Sequence, residues 1–89
     1  MNKLERARIH IDEIDQQMAI LFKERMVAVS DVLDFKIENH LPVLDQVREN
    51  AMILKNIRRF DNPDLESYYE QFLKAILEIS RKYQEDHYE

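Results

Sequence analysis

The chain contains no cysteine, which excludes a disulfide framework, a thiolate metal site and a thiol nucleophile. It contains no glycine either, and this removes phosphate-binding loops, dinucleotide-binding turns and the nucleophile elbow of serine hydrolases. The longest apolar run, Met18-Ala19-Ile20-Leu21-Phe22, has five residues, far short of a membrane span, and the N-terminus lacks the apolar block of a signal peptide. Basic excess is missing as well: the formal net charge is −5 and Arg58-Arg59 is a pair rather than a patch, so no nucleic-acid partner is expected. His10, His40 and His87 share no spacing of a metal site or a triad and read as surface residues. These exclusions leave one cytoplasmic domain of 89 residues with a core that is small unless the chain associates.

What is present is helical periodicity. It predicts an all-α chain of three helices, the first from about Lys3 to about Glu38, where no Pro or Gly interrupts the pattern. Asn39-His40-Leu41-Pro42 ends it. A second helix is expected from Asp45, suited to be its N-cap, to Phe60, with Val47, Ala51, Leu54 and Ile57 on one side and Ile53 and Phe60 beside them. Asp61-Asn62-Pro63-Asp64 is the next break, with Asn62 suited to cap a third helix and Pro63 to its first position. That helix should run to about Gln84, with Glu85-Asp86-His87-Tyr88-Glu89 as a fraying tail.

Length turns this reading into one about assembly. A helix of about 35 residues is roughly 50 Å long, whereas a compact globule of this chain length has a diameter of roughly 30 Å. The first helix cannot be covered by its own chain, and a second copy laid against it makes a homodimer the expected state.

The core stripe of that helix, followed in steps of three and four, reads Leu4, Arg8, Ile11, Asp15, Met18, Phe22, Arg25, Val29, Val32 and Lys36. Cations stand where apolar residues belong. Taken singly, each has an ordinary explanation: an Arg or Lys can extend its head to the rim, Asp15 can pair with one of them, Ser80 can bond back one turn, and Gln84 can sit at a frayed end. Taken together, Arg8, Arg25, Lys36 and Arg48 at core-facing or core-edge positions, with too few stripe carboxylates to pair them, imply a bound anion of more than one charge.

The pattern Leu4-x-x-x-Arg8-x-x-Ile11-x-x-Ile14-Asp15, then Glu24-Arg25, Lys36, Pro42-Val43-x-Asp45-x-x-Arg48-Glu49 and Ser80-x-x-x-Gln84 closely resembles the all-helical (type II) chorismate mutases, over about Leu4 to Gln84. Every polar interruption falls on a site position of that family. The resemblance implies an intertwined homodimer of three-helix protomers with two active sites built between chains, no cofactor and no metal. Leu33 departs from it, since relatives often carry a small residue there. No fused dehydratase, dehydrogenase or synthase domain accompanies the sequence, so any downstream or regulatory enzyme partner is expected to be a separate polypeptide.

The implied reaction is a concerted pericyclic shift of chorismate to prephenate, within aromatic amino acid biosynthesis. It asks for a folded dianion and for stabilisation of charge growing on the ether oxygen. Position by position, the resemblance assigns Arg8, Arg25 and Arg48 to the surroundings of the two carboxylates, with Ser80 assisting. Lys36 and Gln84 are directed to the ether oxygen, Glu49 accepts from the ring hydroxyl with Asp45 beside it, and Val32 and Leu77 line the apolar wall. Arg25 and Lys36 are about 16 Å apart along the helix axis and can share one ligand, but Arg8 lies about 25 Å from Arg25 and must serve the other protomer's site. The alternatives are an isochorismate pyruvate lyase, set back by Asp45-x-x-Arg48-Glu49, and a noncatalytic helical dimerisation or regulatory module, which would be expected to have lost site residues.

Overall fold

The computed structural model describes residues 1–89, and they form three helices and no strand: α1 (Lys3–Glu38), α2 (Gln46–Phe60) and α3 (Glu66–His87). Helix α1 opens on Asn2, whose side chain accepts from the Glu5 N–H at 2.8 Å, a cap that supplies one of the donors a helix start leaves unpaired. It closes at Asn39 with a double turn: the Leu41 N–H bonds back to Lys36 O at 2.8 Å and the His40 N–H to Ile37 O at 3.3 Å, with His40 left-handed at φ 54°. Glycine usually takes such a position; a chain without glycine uses His40. Helix α2 is capped by Asp45, which accepts from the Arg48 N–H at 3.0 Å.

Helix α3 departs from the expectation at both ends. Asn62 does not cap it. Its carbonyl accepts from the Leu65 N–H at 3.1 Å, so Pro63 sits at the second position of a tight turn, where its fixed φ is equally at home, and α3 starts at Glu66. The far end does not fray at Gln84 but continues to His87, because Lys82 pairs with Asp86 at 2.9 Å and the His87 ring meets Tyr83 O at 2.8 Å while stacking on the Tyr83 ring. Tyr88 then donates to Leu41 O at 2.7 Å, tying the C-terminus to the turn after α1.

Packing runs through α3, which lies against both α1 and α2, whereas the backbones of α1 and α2 do not approach each other. The face of α2 that meets α3 carries Ile53, Ile57 and Phe60, and Phe60 stacks on Tyr69 with ring centroids 4.1 Å apart. Of the four residues expected together on one side of α2, Val47, Ala51 and Leu54 are exposed and only Ile57 is half-buried. Along α1 only Val29 and Leu33 are buried, so Leu33, the departure from the family pattern, is a packing residue. Leu4, Ile11, Met18 and Phe22 lie open to solvent. The chain measures 55 × 26 × 16 Å, with a radius of gyration of 16.4 Å, against about 12 Å for a compact chain of this length. Only five residues are buried, and two of them, Ser80 and Gln84, are polar. Three buried apolar side chains are too few to hold a fold of this size. No helix is long and apolar enough to cross a membrane.

Candidate active site

Because α1 and α2 are held apart by α3, a cleft of about 290 Å³ remains between them. Nine of the ten residues singled out from the sequence line it. Helix α1 contributes Arg25, Val32 and Lys36, the start of α2 contributes Asp45, Arg48 and Glu49, and α3 contributes Leu77, Ser80 and Gln84. Steps of three and four along α3, from Leu77 through Ser80 to Gln84, keep these three side chains on one face.

Arg8 is the exception. It stands on the uncovered half of α1, exposed, without a salt bridge or side-chain hydrogen bond in its own chain. Asp15 is likewise exposed and pairs with no cation, so the stripe carboxylate does not neutralise the stripe cations. His10, His40 and His87 are all exposed.

Arg25 Nη1 donates to Ser80 Oγ, which itself donates back to Ile76 O at 2.9 Å. Ser80 therefore keeps the ordinary bond of a helical serine while also accepting from Arg25. Burial, and next the positive charge of Arg48, lower the pKa of Arg25 from its ordinary value. Lys36 Nζ donates to Gln84 Oε1 at 2.9 Å and to Val43 O at 2.6 Å. The second of these follows from the turn at His40, which folds the chain after α1 back towards Lys36 and brings the Val43 carbonyl within reach. The Gln84 amide is fixed in turn: its oxygen accepts from Lys36, one Nε2 hydrogen goes to Ser80 O at 3.3 Å, and a second remains for a ligand. Far from fraying, Gln84 is 6 % exposed.

Arg81 is a lining residue that stripe reasoning passed over, since it lies one step off the core spacing of α3. Its Nε is 2.9 Å from Glu49 Oε2. With it, the cleft holds four cations (Arg25, Lys36, Arg48, Arg81) against two carboxylates (Asp45, Glu49), an excess of two positive charges on a chain whose net charge is −5. Such a site concentrates a small dianion and needs no nucleophile to act on it. No group of His, Cys, Asp and Glu side chains is arranged to hold a metal ion.

An all-helical fold with a doubly cationic cleft between two separated helices defines a binder of small dianions. A model of the chorismate mutase type II family matches residues 7–85, and the chain belongs to that family, whose members are isomerases that act on chorismate. No curated protein and no solved structure matches the chain.

Proposed function

We propose that the cleft between α1 and α2 is the active site at which this chain converts chorismate to prephenate, and that the site is completed by Arg8 of a second copy. The observation that carries the reading is the Lys36–Gln84 pair set among Arg25, Arg48 and Ser80, in a cleft whose charge excess matches a dianion. Arg25 and Arg48, with Ser80 beside Arg25, take the carboxylates. Lys36 and the free Nε2 hydrogen of Gln84 converge on the ether oxygen, where negative charge grows as the C–O bond breaks. Glu49 accepts from the ring hydroxyl, Asp45 holds the first turn of α2 in place as its cap, and Val32 and Leu77 press on the ring's apolar side. Electrons shift in a ring within the substrate itself, so the protein's work is confinement and electrostatics.

The homodimer is supported by the uncovered apolar residues of α1 and α2 and by the elongated protomer. Arg8 has no task in its own chain, and about 25 Å of helix separates it from Arg25. An antiparallel second copy of α1 would bring its Arg8 to the open side of the cleft. The setting proposed is the cytoplasm and aromatic amino acid biosynthesis.

The test is to incubate purified protein with chorismate and, separately, with isochorismate, and to identify the products. Prephenate from chorismate is expected. Pyruvate from isochorismate without prephenate from chorismate would replace this reading by a lyase, and no product from either would replace it by a noncatalytic dimer.

A further inference from the structure

Glu49 poses a problem for a cleft that receives a dianion. Its side chain is only 13 % exposed, so its negative charge is largely removed from water at the wall of an anion site. Left alone, such a carboxylate would be repelled by the substrate and would turn to solvent. Its one ionic partner is Arg81, whose Nε lies 2.9 Å away. That nitrogen is itself buried and makes no hydrogen bond with good geometry anywhere in the chain, so the contact is a charge pair with the N–H turned off the line to the oxygen.

Helix register explains how the pair comes about. Arg81 follows Ser80 on α3 and Glu49 follows Arg48 on α2; one residue turns a helix by about 100°. Ser80 and Arg48 serve the substrate carboxylates, and the next residue on each helix turns towards the seam between α2 and α3, where the two meet. Nε is the guanidinium nitrogen nearest the backbone, so a planar group held there has little freedom to swing into the cleft.

We infer that Arg81 is a positioning residue: by holding Glu49 Oε2 it leaves Oε1 free to accept from the substrate's ring hydroxyl, and so it sets the preference for a substrate that carries one. The inference rests on the mutase reading and on the assignment of Glu49 within it. Arg81 also restores the positive charge that Glu49 would otherwise take from the cleft.

The experiment compares kcat/KM for chorismate with that for an analogue lacking the ring hydroxyl, in the wild type, Arg81→Met, Arg81→Lys, Glu49→Gln and the double variant Arg81→Met with Glu49→Gln. Wild type should prefer chorismate, and Arg81→Met should shrink that preference by roughly tenfold, the scale of one hydrogen bond to a charged group. The double variant should discriminate no less than Glu49→Gln alone, because Arg81 acts through Glu49. Arg81→Lys should fall between, and it supplies the same comparison if Arg81→Met does not fold. Equal losses on both substrates, or losses that add in the double variant, overturn the inference. A wild type that leaves chorismate unchanged overturns the mutase reading and this inference with it. One that converts chorismate, with Arg81→Met keeping the full preference, overturns this inference alone.

Discussion

Lys36 on α1 and Gln84 on α3 meet at 2.9 Å across 48 residues of sequence, the ammonium donating to the amide oxygen. This contact decides which end of the amide faces outward. With its oxygen taken by a cation, Gln84 can offer the cleft only N–H, which is what an oxygen gaining negative charge requires.

Gln84→Glu therefore separates two roles. An ionised carboxylate at this position would pair with Lys36 but repel the ether oxygen as it gains charge, so turnover at pH 7 should drop by about 10²-fold or more. Acidification should restore it as the new carboxyl takes a proton and becomes a donor. Gln84→Ala should be poor at every pH, and the wild type should keep its turnover across neutral pH. Turnover against pH for the three proteins, with circular dichroism at each pH, is the measurement; a Gln84→Glu profile that follows the wild type would remove Gln84 from the ether oxygen.

Arg8→Ala and Lys36→Ala should each give a folded dimer with little activity. Mixed under conditions that exchange subunits, the two should regain activity, since a heterodimer contains one site with both residues intact. If heterodimers form and stay inactive, the shared-site arrangement is wrong.

Arg25 holds its charge at a cost. Its lowered pKa means that the unfolded chain binds this proton more tightly than the fold does. The penalty is therefore constant at every pH below the lowered value and disappears only at strongly alkaline pH, as the proton leaves the folded state. Arg25→Met should accordingly raise the midpoint of thermal unfolding of the ligand-free protein by a few degrees while abolishing most activity, with Ser80 still bonded to Ile76 O. Differential scanning calorimetry decides it: a lower midpoint would mean that the bond to Ser80 outweighs the desolvation.

The proposed dimer couples assembly to folding, and stability is then expected to depend on concentration. The unfolding midpoint should rise across a dilution series. Light scattering that finds a stable, active monomer at micromolar concentration would contradict the assembly drawn from α1.

The sequence carried the architecture well where local rules suffice. The full length of α1 and the cap at Asp45 follow from periodicity and from the chemistry of one short side chain. Arg25, Lys36, Ser80 and Gln84 were legible as polar breaks in apolar stripes and Arg48 as a cation at a core edge, whereas Asp45, Glu49, Val32 and Leu77 came only from the family resemblance. Arg81 was not, because a charged residue beside a stripe resembles any solvated residue until its partner on another helix is known. The same holds for the face of α2 that meets α3 and for Val43, whose contribution is a backbone carbonyl that no side chain announces. The start of α3 differs from the expected cap at Asn62 because Asn-Pro serves a tight turn as readily as a helix cap, and here the Asn62 carbonyl accepts from the Leu65 N–H.

The cleft is closed by partners remote in the chain: Arg25 reaches Ser80 across 55 residues and Lys36 reaches Gln84 across 48. Helices form early in refolding, whereas contacts between distant segments wait until the chain between them has been gathered in. Ellipticity should thus return ahead of catalysis, and turnover becomes a clock for the last stage of assembly, registering only molecules in which α3 has already docked along α1.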